Sequence, residues 1–582
     1  MRFPSLASLA ERATQVLRRF PWTLAAGTLA AAAGIVATTH GADDAWARLA
    51  AVAALGLPVT IAVTLLAEVR RWPAALRVAV LLGGAAALAA FYLAWPGPDA
   101  RHEAIRYAQL SAALHLVVAF LPFLGAAESL AFWQYNRRLF LGFLRAVVFS
   151  GVLFVGIAIA LGALDRLFGV HIEGETYLRI WLVVALVVNT WIFLAAVPGD
   201  LPALAQDTEY PRALKLFAQY ILTPLAFTYL VILLAYLVKI LAGAEWPSGW
   251  VGWLVASVSV TGILGFLLVH PLRGDPAEGW IRTYGRWLFV GLVPAALMLL
   301  VAFWKRIVPY GLTEPRTLGL VLGLWLLGIA LLFTARSAAP IKLIPTTLAA
   351  LLLLTLYGPL SLSRVSITSQ GRRLAQLLRA GAADSVNARE ASAALRFLLD
   401  HRAGGEIAAR LGRQLPAIDW DSLPQHGEKR DSAARQIMAA AGVTYVPEYG
   451  RGRGGGWFSI NSEQRVPVRV AGFDWMVPLS AVDTTVRTID ADSVSLVPRG
   501  VNGVERIRVG GDTVRVDLRP LARRYGASMS PARAVAADSL SIEATGRRRA
   551  RVAVTNLHGY LKGDSLRIDG WSGWVLVAPR RR

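Results

Sequence analysis

The chain has 582 residues, of which 55% are hydrophobic and 17% charged, and its mean hydropathy is +0.49. A soluble globular chain carries about 25% charged residues, so an ordinary soluble enzyme and a disordered chain are both excluded. Cysteine is absent, which excludes disulfides and every cysteine-liganded zinc or iron–sulfur centre.

The charge is unevenly spread. Asp, Glu, Lys and Arg number 43 in residues 1–360, about 12% of that stretch, and 55 in residues 361–582, about 25%. The fold class this implies is an α-helical polytopic membrane protein of about 11 transmembrane helices. A C-terminal soluble α+β domain, β-rich at its end, follows it. The formal net charge is +22 and the isoelectric point is near 10.8. A basic balance suits nucleic acid. In a polytopic chain, however, basic loops fix topology and a basic surface faces anionic lipid or polymer, so no nucleic acid is expected.

Residues 1–20 read as an interfacial amphipathic leader. Phe3, Leu6, Leu9, Ala13, Val16, Leu17 and Phe20 recur at helical spacing with Arg12, Arg18 and Arg19 between them, the pattern of a helix lying in the inner interface. Residues 21–360 read as the transmembrane bundle. Its apolar stretches cover 21–38, 47–67, 73–95, 105–126, 139–163, 177–197, 214–242, 248–269, 287–304, 317–334 and 341–360. Trp22, Trp46, Trp72, Trp95, Trp250 and Trp304 sit near their ends, as an interfacial aromatic belt does. Lys and Arg sum to 17 on the side of the N-terminus and 9 on the other. The excess predicts a cytoplasmic N-terminus and, with an odd number of spans, a tail outside the cytoplasm.

Residues 361–450 read as a helical segment of an extracytoplasmic tail. Leu374, Leu377 and Leu378 share one face, and further helices are expected near 387–401 and 432–441. Residues 450–456 are Gly-rich and read as a flexible joint. Residues 451–582 read as a β-rich extracytoplasmic domain. Val466, Val468 and Val470 alternate around Pro467, which suits an edge strand. An Asp, a Ser or Thr, then two aliphatics one residue apart recur from Asp492, Asp512, Asp538 and Asp564. Each copy predicts a turn launching an alternating strand, so a hairpin-rich sandwich or open barrel is expected.

Few residues invite chemistry. Gly450, Gly452 and Gly455 fit a dinucleotide fingerprint, but helix precedes and strand follows, the reverse of what such a site needs. Asp419 with Asp421 lacks a third ligand nearby, and Asp490 with Asp492 belongs to the turn pattern, so no metal and no cofactor are expected. The eight histidines form no metalloprotease pair. His115 and Asn189 fall inside spans, where a polar side chain is costly and marks either function or an interhelical bond. Pro58, Pro224 and Pro294 interrupt spans without an inverted repeat. The most distinctive segment is the loop 309–316, Pro-Tyr-Gly-Leu-Thr-Glu-Pro-Arg. Its Tyr310, Glu314 and Arg316 are the candidate functional or structural residues, with Glu314 and Arg316 expected to pair at the membrane surface. A rigid turn into the following span is the plainer role.

That loop, with Leu318-Gly-Leu-Val-Leu-Gly-Leu-Trp325 after it, resembles the hallmark of a bacterial inner-membrane family catalogued as domain of unknown function 4153. Phe132-Trp-Gln-Tyr-Asn136 with Arg137 and Arg138, Tyr357-Gly-Pro-Leu-Ser361 with Ser369-Gln-Gly-Arg-Arg-Leu374, and Val470-Ala-Gly-Phe-Asp474-Trp are similar to that family too. The resemblance covers roughly residues 125–480. It implies inner-membrane location and this architecture, and it carries no activity, cofactor or catalytic residue. The function expected is that of a non-enzymatic envelope protein whose periplasmic tail binds a partner or envelope component. Its partners would be membrane lipid and an envelope protein or anionic polymer. The alternatives are a transporter using the bundle and a membrane enzyme acting on lipid-linked substrates.

Overall fold

The computed structural model describes residues 6–39, 44–97, 101–125, 129–243, 251–379, 385–411, 428–446, 456–462, 470–480, 486–489, 492–497, 503–526, 534–535, 537–546, 548–562 and 565–578. Residues 450–455 of the glycine-rich joint, the pairs Asp419/Asp421 and Asp490/Asp492 as pairs, and Val466, Pro467 and Val468 lie outside them. The chain divides into two units. One comprises residues 1–379 and 394–426, the other residues 380–393 and 427–582.

In the first unit a short helix α1 (Leu6–Arg19) precedes ten helices long and apolar enough to cross a membrane among the described residues. They are α2 (Pro21–Thr39), α3 (Asp44–Val69), α4 (Ala74–Ala94), α5 (Arg101–Phe120), α6 (Ser129–Phe168), α7 (Gly174–Leu194), α8 (Arg212–Leu241), α9 (Val251–Val269), α10 (Gly279–Tyr310) and α11 (Glu314–Ala335). Single π turns interrupt α7 at Val184–Val188 and α8 at Ala218–Leu222. Phe143, Val148, Phe149, Val152 and Ile159 are exposed along α6, an apolar surface that suits lipid and not water. The interior is aromatic where α9, α10 and α11 meet. Phe289 stacks on Phe333 at 4.7 Å, and Phe266 meets Phe289 edge-on at 4.9 Å.

The eleventh apolar stretch gives a helix, α12 (Leu343–Leu354), of only 12 residues. At 1.5 Å per residue it is about 18 Å long, short of the roughly 30 Å hydrocarbon core. Gly358, at φ +81°, and Pro359 end the run. The chain nevertheless changes ends of the bundle here. Ser337, before α12, accepts from Arg273 beside the end of α9, whereas Leu352 and Thr355 accept from Gln109 near the start of α5. Two further helices of this unit, α13 (Leu362–Arg379) and the end of α14 (Ser385–Asp400), with α15 (Gly404–Leu411), cover that second end. The leader ends at the first. Arg19 grips both oxygens of Glu68 at 2.9 and 2.8 Å and donates to the carbonyls of Val197 and Pro198.

Among the described residues the second unit holds α16 (Glu428–Ala440), α17 (Arg519–Gly526) and ten strands. These are β1 (Gly456–Ser462), β2 (Trp475–Ser480), β3 (Arg487–Ile489), β4 (Asp492–Leu496), β5 (Val504–Val509), β6 (Asp512–Asp517), β7 (Ala534–Val535), β8 (Ser541–Ala544), β9 (Ala550–Lys562) and β10 (Ser565–Val577). One sheet runs β2-β10-β9-β1-β7 with β8 on β9; the other runs β3-β4-β5-β6. Arg515 on β6 exchanges two 2.8 Å backbone bonds with Thr545 after β8, joining the sheets at one corner. Phe458, Val552, Leu557 and Val575 from one sheet and Val494, Ile507, Val514 and Val516 from the other form a single apolar core. The recurrent Asp-Ser or Asp-Thr steps stand at the heads of β4 and β6 and in the 3-10 turn before β8, as the spacing predicts. The architecture is therefore a helical membrane part followed by a β-rich domain.

Candidate functional site

Helix α10 stops at Tyr310 because Gly311 adopts φ +68°, a left-handed conformation that glycine enters without penalty. Gln370 on α13 then reads the turn. Its Nε2 donates to the carbonyls of Tyr310 at 3.0 Å and Leu312 at 2.8 Å, and Ser369 Oγ accepts from the Leu312 amide at 2.9 Å. A Cβ on Gly311 would lie 2.8 Å from that same Nε2, so the glycine is needed twice. Thr313 is extended, and α11 begins at Glu314 with Pro315 in its first turn, where the missing amide costs nothing. Arg316 turns back and donates to the carbonyls of Tyr310 at 3.2 Å and Gly311 at 2.8 Å. The guanidinium carbons of Arg316 and Arg373 lie 5.6 and 5.7 Å from the Tyr310 ring centre.

Glu314 points inward and is not paired with Arg316. Positions i and i+2 leave a helix in nearly opposite directions. Its Oε1 instead meets His401 Nε2 at 2.5 Å, and each side chain keeps only 5% of its exposure. His401 Nδ1 lies 2.6 Å from the Phe397 carbonyl. A carbonyl only accepts, so Nδ1 carries a proton and Nε2 faces the carboxylate with the second. Burial works against the imidazolium, but the bond to Glu314 and its charge outweigh it and raise the His401 pKa above the ordinary imidazole value.

Neighbours complete the cluster. His102 stacks on His401 with ring centres 4.1 Å apart. Glu103 is buried and takes both its oxygens to Arg106 Nη1 at 2.8 and 2.9 Å. Arg106 lies 5.6 Å over the ring of Tyr357. Thr317 and Ser366 share a buried 3.2 Å bond between α11 and α13. A Cβ on Gly371 would fall 2.7 Å from Glu406, so this glycine lets α15 lie against α13. A carboxylate–imidazolium pair walled in this way holds its proton out of reach of a solvent-borne substrate. It acts as a lock between the start of α11 and the helices that follow the bundle.

A second polar cluster closes the opposite end. Every polar side chain of the segment 133–138 reaches another element. Trp133 donates to the Leu267 carbonyl, Gln134 to those of Asp207 and Glu209, Tyr135 to Val118 and Asn136 to Ala119. Arg137 and Arg138 meet Asp207 at 3.5 and 2.8 Å. Burial would raise the Asp207 pKa, but the bonds from Arg138 and the Glu209 amide and the charge of Arg137 hold it below the usual carboxylate range. Helix ends leave carbonyls unsatisfied, and this segment of α6 satisfies several of them.

The intramembrane candidates stand apart from both clusters. His115 is on the exposed face of α5, its Nδ1 2.8 Å from the Ser111 carbonyl of its own helix. Asn189 is half-buried just beyond the π turn of α7. A cavity of about 390 Å³ among α2, α3 and α4 and one of about 750 Å³ between α8 and α10 are lined by neither. Among the described residues no group of three or more His, Asp or Glu is placed to hold a metal. His102, Gln370 and His401 carry no spacing signal that sequence reading could have used. They matter through contacts made far along the chain.

Residues 309–316, 357–361 and 369–374 thus meet at one end of the bundle, and residues 132–138 organise the other. The family described as Domain of unknown function (DUF4153) matches residues 26–394. The chain belongs to this family. The match begins within α2 and takes in all of both clusters except Phe397, His401 and Glu406, and none of the β strands; the segment 470–475 lies outside it. An uncharacterised protein of Pasteurella multocida (strain Pm70) is 25% identical over 181 residues, 30% of this chain and 30% of its own length. That stretch is less than a third of the relative. No solved structure matches.

The loop's geometry makes a prediction about Arg316. Arg316→Ala removes two charge-assisted bonds to carbonyls, which are worth about 1.5–3 kcal/mol each at most. The expected result is a lower apparent Tm and lower abundance in the membrane, with any ligand binding by the surviving protein unchanged. Normal abundance with a lost cellular phenotype would instead make the loop functional.

Proposed function

We propose that this is a non-enzymatic protein of the bacterial inner membrane whose helical unit is the anchor and whose β unit binds an envelope component. The observation that carries the reading is the β unit itself. It has a core of its own, built from both of its sheets, and it follows a membrane bundle in which no metal-holding group of acids and histidines is found among the described residues. The two polar clusters of the helical unit hold helix ends together, as the Glu314–His401 pair and the segment 133–138 illustrate. A transporter reading has less support, because His115 and Asn189 line neither apolar cavity. A lipid-linked enzyme would need an open groove at the loop 309–316, where Gln370, Ser369 and His401 are packed instead.

The orientation follows from charge. The end of the bundle bearing Arg19, Arg70, Arg77, Arg137, Arg138 and Arg273 is the basic one and faces the cytoplasm. The chain leaves α12 at the other end, which supports reading the β unit as periplasmic. A reporter active only in the periplasm, fused after Arg582, is expected to be active, and a cytoplasm-only reporter silent. The reverse result would overturn the orientation.

A further inference from the structure

We propose that the outer face of the four-stranded sheet is a binding site for phosphate groups carried in series on an anionic ligand. The inference rests on the reading of the β unit as the binding module and gives that module a surface and a chemistry.

The face is set by register. Ile507 and Val509 on β5 and Val514 and Val516 on β6 are fully buried, which fixes the alternate positions outward. Those positions are Arg506 and Arg508 on β5 and Thr513 and Arg515 on β6, all exposed. Arg506 and Arg515 are direct cross-strand partners; Arg508 stands opposite Thr513 on one side and Ser495 of β4 on the other. Like charges directly opposite one another weaken a strand pair. Two facing arginines therefore work against the sheet, and packing gives no reason for them.

Nor does the protein neutralise them. Among the described residues no carboxylate lies within ion-pair distance of Arg506, Arg508 or Arg515. The acid nearest on this face is Asp517, which accepts from the Arg519 amide at 3.0 Å, Nε at 2.8 Å and Nη2 at 2.6 Å. Those bonds, ahead of the charge of Arg515, hold its pKa below the usual range. Glu505 belongs to the opposite side of β5. The face keeps an excess of three positive charges after Asp517 and Arg519 cancel.

The arginines also have a spacing. Opposite positions place Cβ atoms about 5 Å apart, and two residues along a strand add about 7 Å. A guanidinium presents a planar fork that matches phosphate oxygens in pairs, and Ser495 and Thr513 add hydroxyl donors beside it. An exposed row of arginines on an open sheet face suits a chain or array of charged groups better than one small anion.

The test uses the full chain in nanodiscs of phosphatidylcholine, with inositol hexakisphosphate as the probe. Wild-type protein is expected to bind it, more weakly as salt rises. Arg506→Gln with Arg515→Gln should weaken binding roughly tenfold or more. Arg567→Gln, an exposed arginine paired with Asp569 on β10, should leave it unchanged. Vesicles of phosphatidylglycerol that compete with the probe would assign the phosphates to lipid headgroups, and competition by inorganic polyphosphate alone would assign them to a soluble polymer; either supports the site. Equal binding by the double variant and wild type would overturn the site, and no binding by wild type would overturn the phosphate chemistry. The same double variant separates this inference from the reading beneath it. If it preserves envelope integrity in cells while disruption of the β core does not, the arginine face is wrong and the binding module stands. If neither change matters to the cell, both fall.

Discussion

His401→Ala is expected to destabilise the helical unit by about 3–5 kcal/mol, because it leaves the Glu314 carboxylate buried without its partner. Glu314 retains 5% of its side-chain exposure and His401 the same, so water cannot replace the lost bond without opening the end of the bundle. The direct readout is the apparent Tm of purified protein in detergent, with protease sensitivity near residues 394–411 as a local measure. Replacing both residues by a well-packed apolar pair is expected to recover much of the loss, since a buried ion pair contributes little over such a pair. The pH dependence has a definite sign. The folded pKa of His401 is raised, so the pair's contribution is complete below the unfolded imidazole value of about 6.5 and is lost as pH rises through the folded value. The gap in Tm between wild type and His401→Ala should therefore be widest on the acidic side of that window and narrow at alkaline pH. A gap that widens with pH would contradict the assignment of protons to both ring nitrogens.

Phe458→Ala is the second change expected to act strongly. Phe458 on β1 is fully buried among Val552, Leu557 and Val575. Truncating a core phenylalanine costs about 3–5 kcal/mol, and a small β domain has little more than that to lose. The expected result is loss of β signal in circular dichroism with helical content retained. A single cooperative loss of both signals would contradict the division into two units.

Much of the helical unit was legible because a membrane span is a problem of length and polarity. Ten of the apolar stretches form long helices, although α6 starts ten residues before its stretch 139–163 and α10 overruns 287–304 at both ends. The eleventh overran its helix, since Tyr357 and Leu360 are apolar enough to extend the stretch while Gly358 and Pro359 end it. Composition changes sharply at residue 361, yet α13 belongs with the bundle. Its Ser366, Ser369 and Gln370 are polar because they bond the loop and α11, not because they face water. The loop 309–316 was legible as a rigid element from its glycine and prolines. Its chemistry was not. Glu314 lies two residues from Arg316 and 87 from His401, and proximity in the chain favoured the pair that helix geometry forbids. The strands announced themselves by their Asp-Ser and Asp-Thr steps, but only the register of β5 on β6 reveals that Arg506 faces Arg515.

In the proposed function the β unit is the working part of an anchored protein. The most direct measurement replaces the chromosomal copy with a Phe458→Asp chain and follows survival in detergent and in large, normally excluded antibiotics, with membrane abundance of the chain measured in parallel. The helical unit is expected to remain in the membrane while envelope integrity falls to the level of a full deletion. Integrity equal to wild type, with the β unit shown to be unfolded, would contradict the account.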